Sequence, residues 1–205
     1  MHPYSTDSTE REQVLFGLAV GAILLALGFS RFLLALRFTA PWWFDAPSTM
    51  GFYGILFKWF DQKLWRSKLI RWTSLLKVPV LVGEWRGYVV SSFDDHKKSH
   101  EITVRISQTW TRIMILLSSG TSHSHTLTAS IQVQEPEGMV LTYQFENQPK
   151  PHALKTMEIH IGTARLVFAA DRVLEGYYYS GRGRGEYGSI HLERSDSKQR
   201  RNQKA

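Results

Sequence analysis

The sequence predicts N-terminal membrane helices followed by an all-β domain that closes into an antiparallel meander barrel of about eight strands. Two observations carry this fold class. Val14–Leu36 is an almost uninterrupted apolar run with one charge, Arg31, which is the length and composition of a membrane span. From Val78 onward apolar residues recur at every second position, and turn-forming residues separate the alternating segments, as they do between consecutive β-strands.

The run Val14–Leu36 is predicted to cross a membrane. As a helix rising about 1.5 Å per residue it reaches roughly 34 Å, more than the ~30 Å hydrocarbon core of a bilayer. It is too long for a signal peptide, and no small-residue cleavage site follows it. We expect Met1–Gln13, ahead of this helix, to be a short exposed polar tail.

A second, shorter apolar segment follows the first. It is MGFYGILFKWF (Met50–Phe60), and the stretch before it, PWWFDAP (Pro41–Pro47), has the aromatic composition of a membrane–water interface. Lys58 and Asp61 interrupt the segment, so it either crosses with its lysine snorkelling or lies in the interface. The sequence leaves one crossing or two open.

Asp61–Lys77 is predicted to form a cationic amphipathic helix, with leucines and tryptophans at helical spacing among lysines and arginines. Few positive charges precede the first span, so the positive-inside tendency places this helix and the barrel in the cytoplasm. The predicted boundaries are 1–13 for the polar tail, 14–77 for the membrane-anchor helices, 78–194 for the barrel and 195–205 for a disordered basic tail.

The strands of the barrel follow from the alternating pattern. Ile102, Val104 and Ile106, for example, share one face, opposed by polar residues. The predicted strands are Glu84–Phe93, Glu101–Thr109, Arg112–Leu117, Thr126–Gln134, Met139–Asn147, Thr156–Ile161, Ala164–Ala169, Val173–Ser180 and Tyr187–Glu193. Gly162–Thr163 is interpreted as one of the turns between them.

Composition excludes several classes of function. The net charge is +7 and the pI about 9.7, but much of the basic excess lies beside the membrane segment and in the last residues. It is therefore better explained by lipid head groups and topology than by a DNA or RNA polymer. The chain contains no cysteine. His123 and His125 share a strand face without an evident third ligand, so we expect no metal, no cofactor and, lacking a catalytic set, no enzyme.

The barrel opens with Gly83–Glu84–Trp85, the G-x-W arrangement found on the first strand of lipocalin-like barrels. In those barrels the tryptophan plugs one end and often packs beside a late arginine, which Arg194 supplies here. We interpret Gly83, Trp85 and Arg194 as a structural plug.

Six residues are candidates for ligand binding. Arg182 and Arg184 lie in a glycine-rich stretch after three tyrosines, where forked donors suit phosphate and a tyrosine face suits a base. Tyr178 precedes Arg182 by four residues, so both can point to one side of an extended chain. A plain glycine-rich hairpin is the alternative. Gln108, Trp110 and Tyr143 continue inward faces, where they are either contacts to a nucleobase or core.

Several motifs occur in one order from about Pro41 to Arg194: PWWFDAPS with GFYGILFKWFD, then VPVLVGEWRGYVVSSFD, ISQTW, LTYQFENQPK, MEIHIGTA and LEGYYYSGRGRGEYGSI. In this order they resemble the minimal β-barrel membrane effectors of CBASS antiphage operons. The resemblance implies a barrel similar to lipocalins and fatty-acid-binding proteins, tethered in the bacterial inner membrane and facing the cytoplasm. It also implies a cyclic oligonucleotide ligand, in the first place a cyclic dinucleotide, made by a partner CD-NTase. Binding would drive homo-oligomerisation, membrane disruption and death of the infected cell.

Two other functions stay open. A membrane-tethered carrier or sensor of a lipid or fatty acid suits the barrel type, but the spacing of Arg184 and Tyr187 departs from the Arg-x-Tyr arrangement of fatty-acid-binding barrels. An enzyme on such a barrel is the other alternative. The interior of the barrel separates the first two functions, because a wholly apolar cavity favours a lipid and polar or aromatic groups at the mouth favour a nucleotide.

Overall fold

A computed structural model describes residues 1–37, 45–73, 75–154, 157–170, 172–181 and 185–195, with backbone alone at 45–47 and 170. The chain divides into two compact units. The membrane unit is Ser8–Lys77, and the barrel unit joins Met1–Asp7 to the chain from Val78 onward. The first seven residues therefore belong to the same unit as the C-terminal domain.

Two antiparallel helices form most of the membrane unit, α1 (Glu10–Ala35) and α2 (Asp45–Gln62). Phe29, late in α1, packs edge-to-face on Phe52, early in α2, with 5.8 Å between ring centroids. Earlier in α1, Gly21 faces Leu56, whose Cδ1 lies 3.7 Å from the position of a Cβ on that glycine. Among the described helices, α1 is the one long and apolar enough to cross a membrane.

The prediction of a continuous amphipathic helix over Asp61–Lys77 is wrong. After α2 the chain forms a 3₁₀ turn, Leu64–Arg66, and a short helix, α3 (Lys68–Trp72). Ser67 lies between them in extended backbone, and its hydroxyl accepts a hydrogen bond from the backbone N–H of Ile70 at 3.5 Å. A serine at this position caps a new helix better than it continues an old one.

The barrel unit contains two short N-terminal strands, β1 (His2–Pro3) and β2 (Ser5–Thr6), followed by a meander of longer strands. The longer strands are β3 (Gly83–Ser91), β4 (Ser99–Gln108), β5 (Arg112–Ser119), β6 (Ser122–Gln132), β7 (Val140–Pro149), β8 (His160–Ala170), β9 (Val173–Ser180) and β10 (Tyr187–Arg194).

Each longer strand pairs antiparallel with the next one along the chain, and β10 pairs with β3 to close the sheet. The predicted fold class, an N-terminal apolar helix followed by a closed antiparallel barrel, is confirmed. The predicted inward face of β4 is also confirmed, since Ile102, Val104 and Ile106 are all buried. Apolar side chains that point inward from the longer strands fill the interior of the barrel.

Two strands differ from the pattern that the sequence predicts. The predicted turn at Gly162–Thr163 is wrong, because β8 continues through both residues. Gly162 is there for space: a Cβ would lie 2.4 Å from Cζ of Phe145 on the neighbouring strand. In β6 a bulge between Thr126 and Thr128 shifts the register, so the inward residues are even-numbered before it and odd-numbered after it.

The prediction of an exposed polar tail at Met1–Gln13 is also wrong. β1 pairs antiparallel with β5, β2 pairs parallel with β6, and α1 begins at Glu10. Tyr4 is buried, and its hydroxyl donates to the backbone carbonyl of Trp110 at 2.6 Å. The pattern of this segment is too short to predict a strand, and its partners come more than 100 residues later.

One end of the barrel is filled and is called the plugged end below. Trp85 is fully buried there, and its indole N–H donates to the carbonyl of Leu81 at 3.0 Å. The Gln108 amide accepts from the Leu81 N–H at 2.9 Å and donates to the Pro79 carbonyl at 3.1 Å. One side chain therefore holds the segment before β3 across the end of the barrel.

We predict that Gln108→Leu destabilises the barrel. The substitution leaves the buried N–H of Leu81 and the carbonyl of Pro79 unpaired, at about 1–3 kcal/mol for each group. The measurement is the free energy of unfolding of the full chain in detergent. Gln148→Leu is the matched control, because the exposed Gln148 amide bonds to a surface carboxylate; equal stability of the two variants would contradict the prediction.

Candidate functional site

A cavity of about 220 Å³ occupies the other end of the barrel, called the open end below. The open end is formed where odd-numbered strands such as β3 finish and even-numbered strands such as β4 begin. The cavity wall is mixed in character. Its apolar members include Val89, Ile102, Leu117, Phe145 and Ile190, and its hydroxyl and amide members are Ser91, Ser119, Thr121, Ser122, Ser124, Asn147 and Ser180.

The cavity exists because small residues separate large ones along three neighbouring strands. In the sheet register, Ala164 of β8 lies between Tyr143 of β7 and Tyr178 of β9. Two residues nearer the open end, Gly162 lies between Phe145 and Ser180 in the same way. The middle strand therefore contributes almost no side-chain volume, and aromatic rings stand on both sides of the resulting space.

A second glycine accommodates the Tyr178 ring. Gly188 of β10 is the register partner of Tyr178, and a Cβ there would lie 2.8 Å from Cε1 of the ring. The same Cβ would lie 2.0 Å from the carbonyl oxygen of Val90 on β3, so the position admits only glycine. The ring of Tyr178 thus packs over bare backbone and faces the cavity.

Tyr143 carries a hydroxyl that the described residues do not engage. The side chain is 4% exposed, lines the cavity, and has its ring centroid 6.1 Å from that of Phe145. Burial raises the pKa of Tyr143 above its ordinary value, so the hydroxyl stays protonated and able to donate throughout the physiological range. The hydroxyl is not one of the enclosed, unpaired polar atoms of the described residues, so it opens onto the cavity, where it can donate to a bound ligand.

Two serines of the cavity wall share this property. Ser124 and Ser180 are both buried, and within the described part of the chain their hydroxyls make no hydrogen bond. Ser119 and Ser122, in contrast, bond to each other at 3.1 Å between hydroxyl oxygens. The cavity therefore presents hydroxyls that can each donate one hydrogen bond and accept others from a polar ligand.

Titratable groups stand around the mouth of the cavity. His100 lies 2.9 Å from the carboxylate of Asp94, and His160 Nδ1 lies 2.9 Å from the carbonyl of Glu158. Glu186 is the first residue of the wall after the loop that joins β9 to β10. The mouth is therefore polar, whereas the inner wall includes several apolar side chains.

The structure brings two of the predicted ligand residues together, Tyr143 and Tyr178, on the cavity wall. Gln108 and Trp110 lie elsewhere. Gln108 is engaged by backbone at the plugged end, and Trp110 is 1% exposed with its carbonyl bonded to Tyr4. Arg182 and Arg184 fall outside the described residues.

The three residues predicted to form a plug lie together. The guanidinium carbon of Arg194 is 5.5 Å from the centre of the Trp85 ring, and its Nη2 donates to the backbone carbonyl of Val82. Burial, and secondly the charge of Arg172, lowers the pKa of Arg194 from its ordinary value. Gly83 has a φ of 145°, a backbone conformation that favours glycine, and Arg194 Nε lies 3.6 Å from where a Cβ would be, an ordinary contact distance.

Sequence reasoning missed much of the cavity wall. Ser122 and Ser124, which precede His123 and His125, line the cavity but have no role in the sequence analysis. Their alternation with the histidines is the signal that was available. The β6 bulge hides it, because counting back from Ile131 in steps of two gives the wrong face.

The prediction of no metal site can be compared with the structure only where residues are described. There, no group of three or more histidine, aspartate or glutamate side chains could hold an ion. The chemistry that the open end offers is hydrogen bonding by hydroxyls, amides and imidazoles, together with aromatic stacking.

Comparison with known proteins gives matches to both parts of the chain. Residues 76–194 match the family described as Cap15, cyclic dinucleotide receptor domain, and residues 12–66 match the one described as Cap15, TM helices. The CD-NTase-associated protein 15 of Yersinia aleksiciae is 35% identical over 157 residues, covering 74% of this chain and 71% of that protein.

The receptor match spans the barrel from just before β3 to the end of β10, and the helix match covers nearly all of α1 and α2. Both matches fall on separate parts of the fold in the order expected from the sequence. The chain therefore belongs to the Cap15 family, whose members are CD-NTase-associated and carry a cyclic dinucleotide receptor barrel after N-terminal transmembrane helices.

Proposed function

We propose that this protein is a CBASS effector whose barrel takes a cyclic dinucleotide at its open end, and that binding drives homo-oligomerisation and disruption of the inner membrane. The observation that carries the proposal is the cavity wall. The rings of Tyr143 and Tyr178 line the same cavity as Ser124 and Ser180, and the hydroxyls of Tyr143, Ser124 and Ser180 have no partner among the described residues. A flat, polar base meets both requirements, because its faces stack and its edges hydrogen-bond.

The cavity argues against the lipid carrier considered above. An acyl chain offers no hydrogen bond, so it would leave the hydroxyls of Tyr143, Ser124 and Ser180, which have no partner among the described residues, without one. Seven residues of the wall are hydroxyl or amide side chains: Ser91, Ser119, Thr121, Ser122, Ser124, Asn147 and Ser180. The wall therefore favours a ligand that hydrogen-bonds.

The size of the cavity decides how much of the ligand it holds. At about 220 Å³ it is smaller than the ~300–1,000 Å³ of pockets that enclose a drug-sized ligand. A cyclic dinucleotide has two bases, two riboses and two phosphates, so the cavity accepts only part of it. We propose that one base enters between Tyr143 and Tyr178, while the phosphates and the second base remain at the mouth.

The phosphates at the mouth need cations. Arg182 and Arg184 remain our candidates, because guanidinium groups bind phosphate through two parallel hydrogen bonds. Their neighbours in the chain support this choice: Ser180 and Glu186, on either side of the stretch, both line the cavity. The binding site would then combine an inner base pocket with an outer phosphate clamp.

The distribution of positive charge around α1 and α2 supports a barrel that faces the cytoplasm. Lys63, Arg66, Lys68, Arg71 and Lys77 follow α2, whereas Arg31 and Arg37 flank the opposite end of the helical pair. The larger cluster of positive charge favours the cytoplasmic side, where a CD-NTase product is available. The barrel, which follows Lys77, would then face the cytoplasm.

The direct test is binding of the full chain, in detergent, to a panel of cyclic di- and trinucleotides by titration calorimetry. We expect at least one cyclic dinucleotide to bind, and a long-chain fatty acid neither to bind nor to compete. Size-exclusion chromatography with light scattering then measures whether the same ligand raises the oligomeric state. Binding of the fatty acid alone would overturn the proposal.

We predict that Tyr143→Phe weakens binding without weakening the fold. The hydroxyl has no described partner to lose, so the free energy of unfolding should change by less than about 0.5 kcal/mol. One hydrogen bond to the ligand is worth about 0.5–1.5 kcal/mol, so affinity should fall roughly two- to tenfold. Tyr177→Phe is the control, since Tyr177 is exposed on the outer face of the same barrel. Equal affinity of both variants would place the base elsewhere.

We further predict that Arg182→Ala weakens binding and abolishes ligand-dependent oligomerisation while the barrel stays folded. Loss of a charge-assisted hydrogen bond typically costs ~1.5–3 kcal/mol, so affinity should fall roughly ten- to a hundredfold. Arg105→Ala is the control, because Arg105 lies on the exposed face of β4. The same titration and the same light-scattering measurement apply, and an affinity equal to that of the control would contradict the prediction.

A further inference from the structure

The barrel wall has one incomplete seam. β5 and β6 pair through three residue pairs near the open end, Leu116–Ser118 with His123–His125. Beyond them the strands separate at Thr126. There the Ile115 N–H donates to the Thr126 hydroxyl at 3.1 Å instead of to a backbone carbonyl of β6. From there to the plugged end the two strands have no direct register partners in the described chain.

The N-terminal segment Met1–Asp7, called the strap below, fills this seam. His2 and Pro3 pair with β5, while Ser5 and Thr6 pair with β6. Tyr4, between them, is 3% exposed and forms part of the barrel core. The strap therefore satisfies backbone groups on both strands that would otherwise form open edges.

Both ends of the strap are fixed by side chains. His2 Nε2 lies 2.9 Å from the hydroxyl of Thr126, at the point where the strands separate. At the other end the two carboxylate oxygens of Asp7 accept from the N–H groups of Val133 and Gln134, at 2.8 and 3.0 Å. The Gln134 amide returns a bond to the Asp7 carbonyl at 2.7 Å. These bonds specify a single register for the strap.

Pro3 is compatible with this pairing because its position in the ladder needs no backbone N–H donor. The Tyr4 N–H donates to the Thr111 carbonyl at 3.3 Å, so Tyr4 and Thr111 occupy a hydrogen-bonded position of the antiparallel ladder. The adjacent pair, Pro3 opposite Arg112, is then a position that requires no N–H from the proline.

We propose that the receptor domain is discontinuous, with the strap as a permanent part of its wall, and that the barrel is consequently tethered to the membrane unit at two points. Two residues, Ser8 and Thr9, separate Asp7 from α1, and Lys77 directly precedes Val78. Because both ends of the membrane unit lead into one folded barrel, they lie on the same side of the bilayer. The chain between them therefore crosses an even number of times.

The membrane unit supports this count independently. α1 and α2 are antiparallel, and the N–H of Lys77, its last residue, donates to the carboxylate of Glu10 at the start of α1. Entry and exit are thus adjacent within the unit. With α1 as the outward crossing, α2 is the return. Its 18 residues reach roughly 27 Å at ~1.5 Å per residue, but Asp45, Lys58 and Asp61 lie near its ends, so its apolar part is shorter than that of α1. Lys58 lies four residues before its end, within reach of the interface.

The natural absence of cysteine permits a direct test by disulfide formation. Pro3→Cys with Arg112→Cys places two thiols at opposite, exposed positions of a non-hydrogen-bonded pair, where Cα atoms are closest. Membranes containing the full-length double variant are oxidised with copper phenanthroline and analysed on non-reducing gels. Pro3→Cys with Arg105→Cys is the control, because Arg105 lies on the next strand, opposite Leu116.

We expect an intramolecular disulfide, seen as a faster monomer band that reduction abolishes, in the first variant and not in the control. Ser5→Cys with Ser130→Cys, which tests the other side of the strap, should behave in the same way and covers the case in which the first pair disturbs folding. A disulfide-linked dimer, or monomer bands identical to the control for both pairs, would overturn the proposal.

Sidedness provides the second measurement. The single variants Pro3→Cys and Arg112→Cys should react with a membrane-impermeant maleimide from the same side of the membrane. Both should be labelled in inverted vesicles, or both in intact cells. Labelling from opposite sides would overturn the even number of crossings. Neither measurement requires a nucleotide, so failure of the proposed ligand would leave this result unaffected.

Discussion

A closed barrel must leave no strand edge unpaired, and the rest of this structure depends on how that constraint is met between β5 and β6. The two strands pair directly through three residue pairs and then diverge. A segment from the opposite end of the sequence, Met1–Asp7, completes the wall. Closure thereby joins the N-terminus to the C-terminal domain, and the intervening helices have to begin and end at the same barrel.

The two ends of the barrel differ because they are filled differently. At the plugged end, the Trp85 indole, the Gln108 amide and the Arg194 guanidinium bond to the segment before β3. At the open end, Ala164 and Gly162 take the place of larger side chains on β8. Burial therefore stabilises one end of the barrel, while the other retains volume and hydroxyls that have no partner among the described residues and that a ligand can use.

The same division gives the receptor and its anchor separate physical requirements. In the proposed function the barrel needs a pocket that takes part of a cyclic dinucleotide, while α1 needs only length and apolar composition. Two covalent connections, at Asp7–Ser8 and Lys77–Val78, link the units.

Much of the fold follows from the sequence because it depends on local periodicity. The apolar run of α1, the alternation in β4 and the G-x-W motif before Arg194 are each visible within a few residues, and together they predict membrane helices followed by a barrel of about eight strands. The inward position of Tyr143 was also predictable, because it lies on an inward strand face of the barrel, whereas Tyr178 was chosen for its spacing from Arg182.

Only the tertiary structure decided the rest, because those features depend on partners distant in sequence. The hydroxyl of Tyr4 donates to the Trp110 carbonyl, more than 100 residues away. Gln108 holds the segment before β3, because its amide bonds to the backbone of Pro79 and Leu81. The serines of β6 face inward because a bulge reverses the strand phase, which no count of alternating residues detects. Local patterns fix which elements form; closure of the sheet decides which side chains meet.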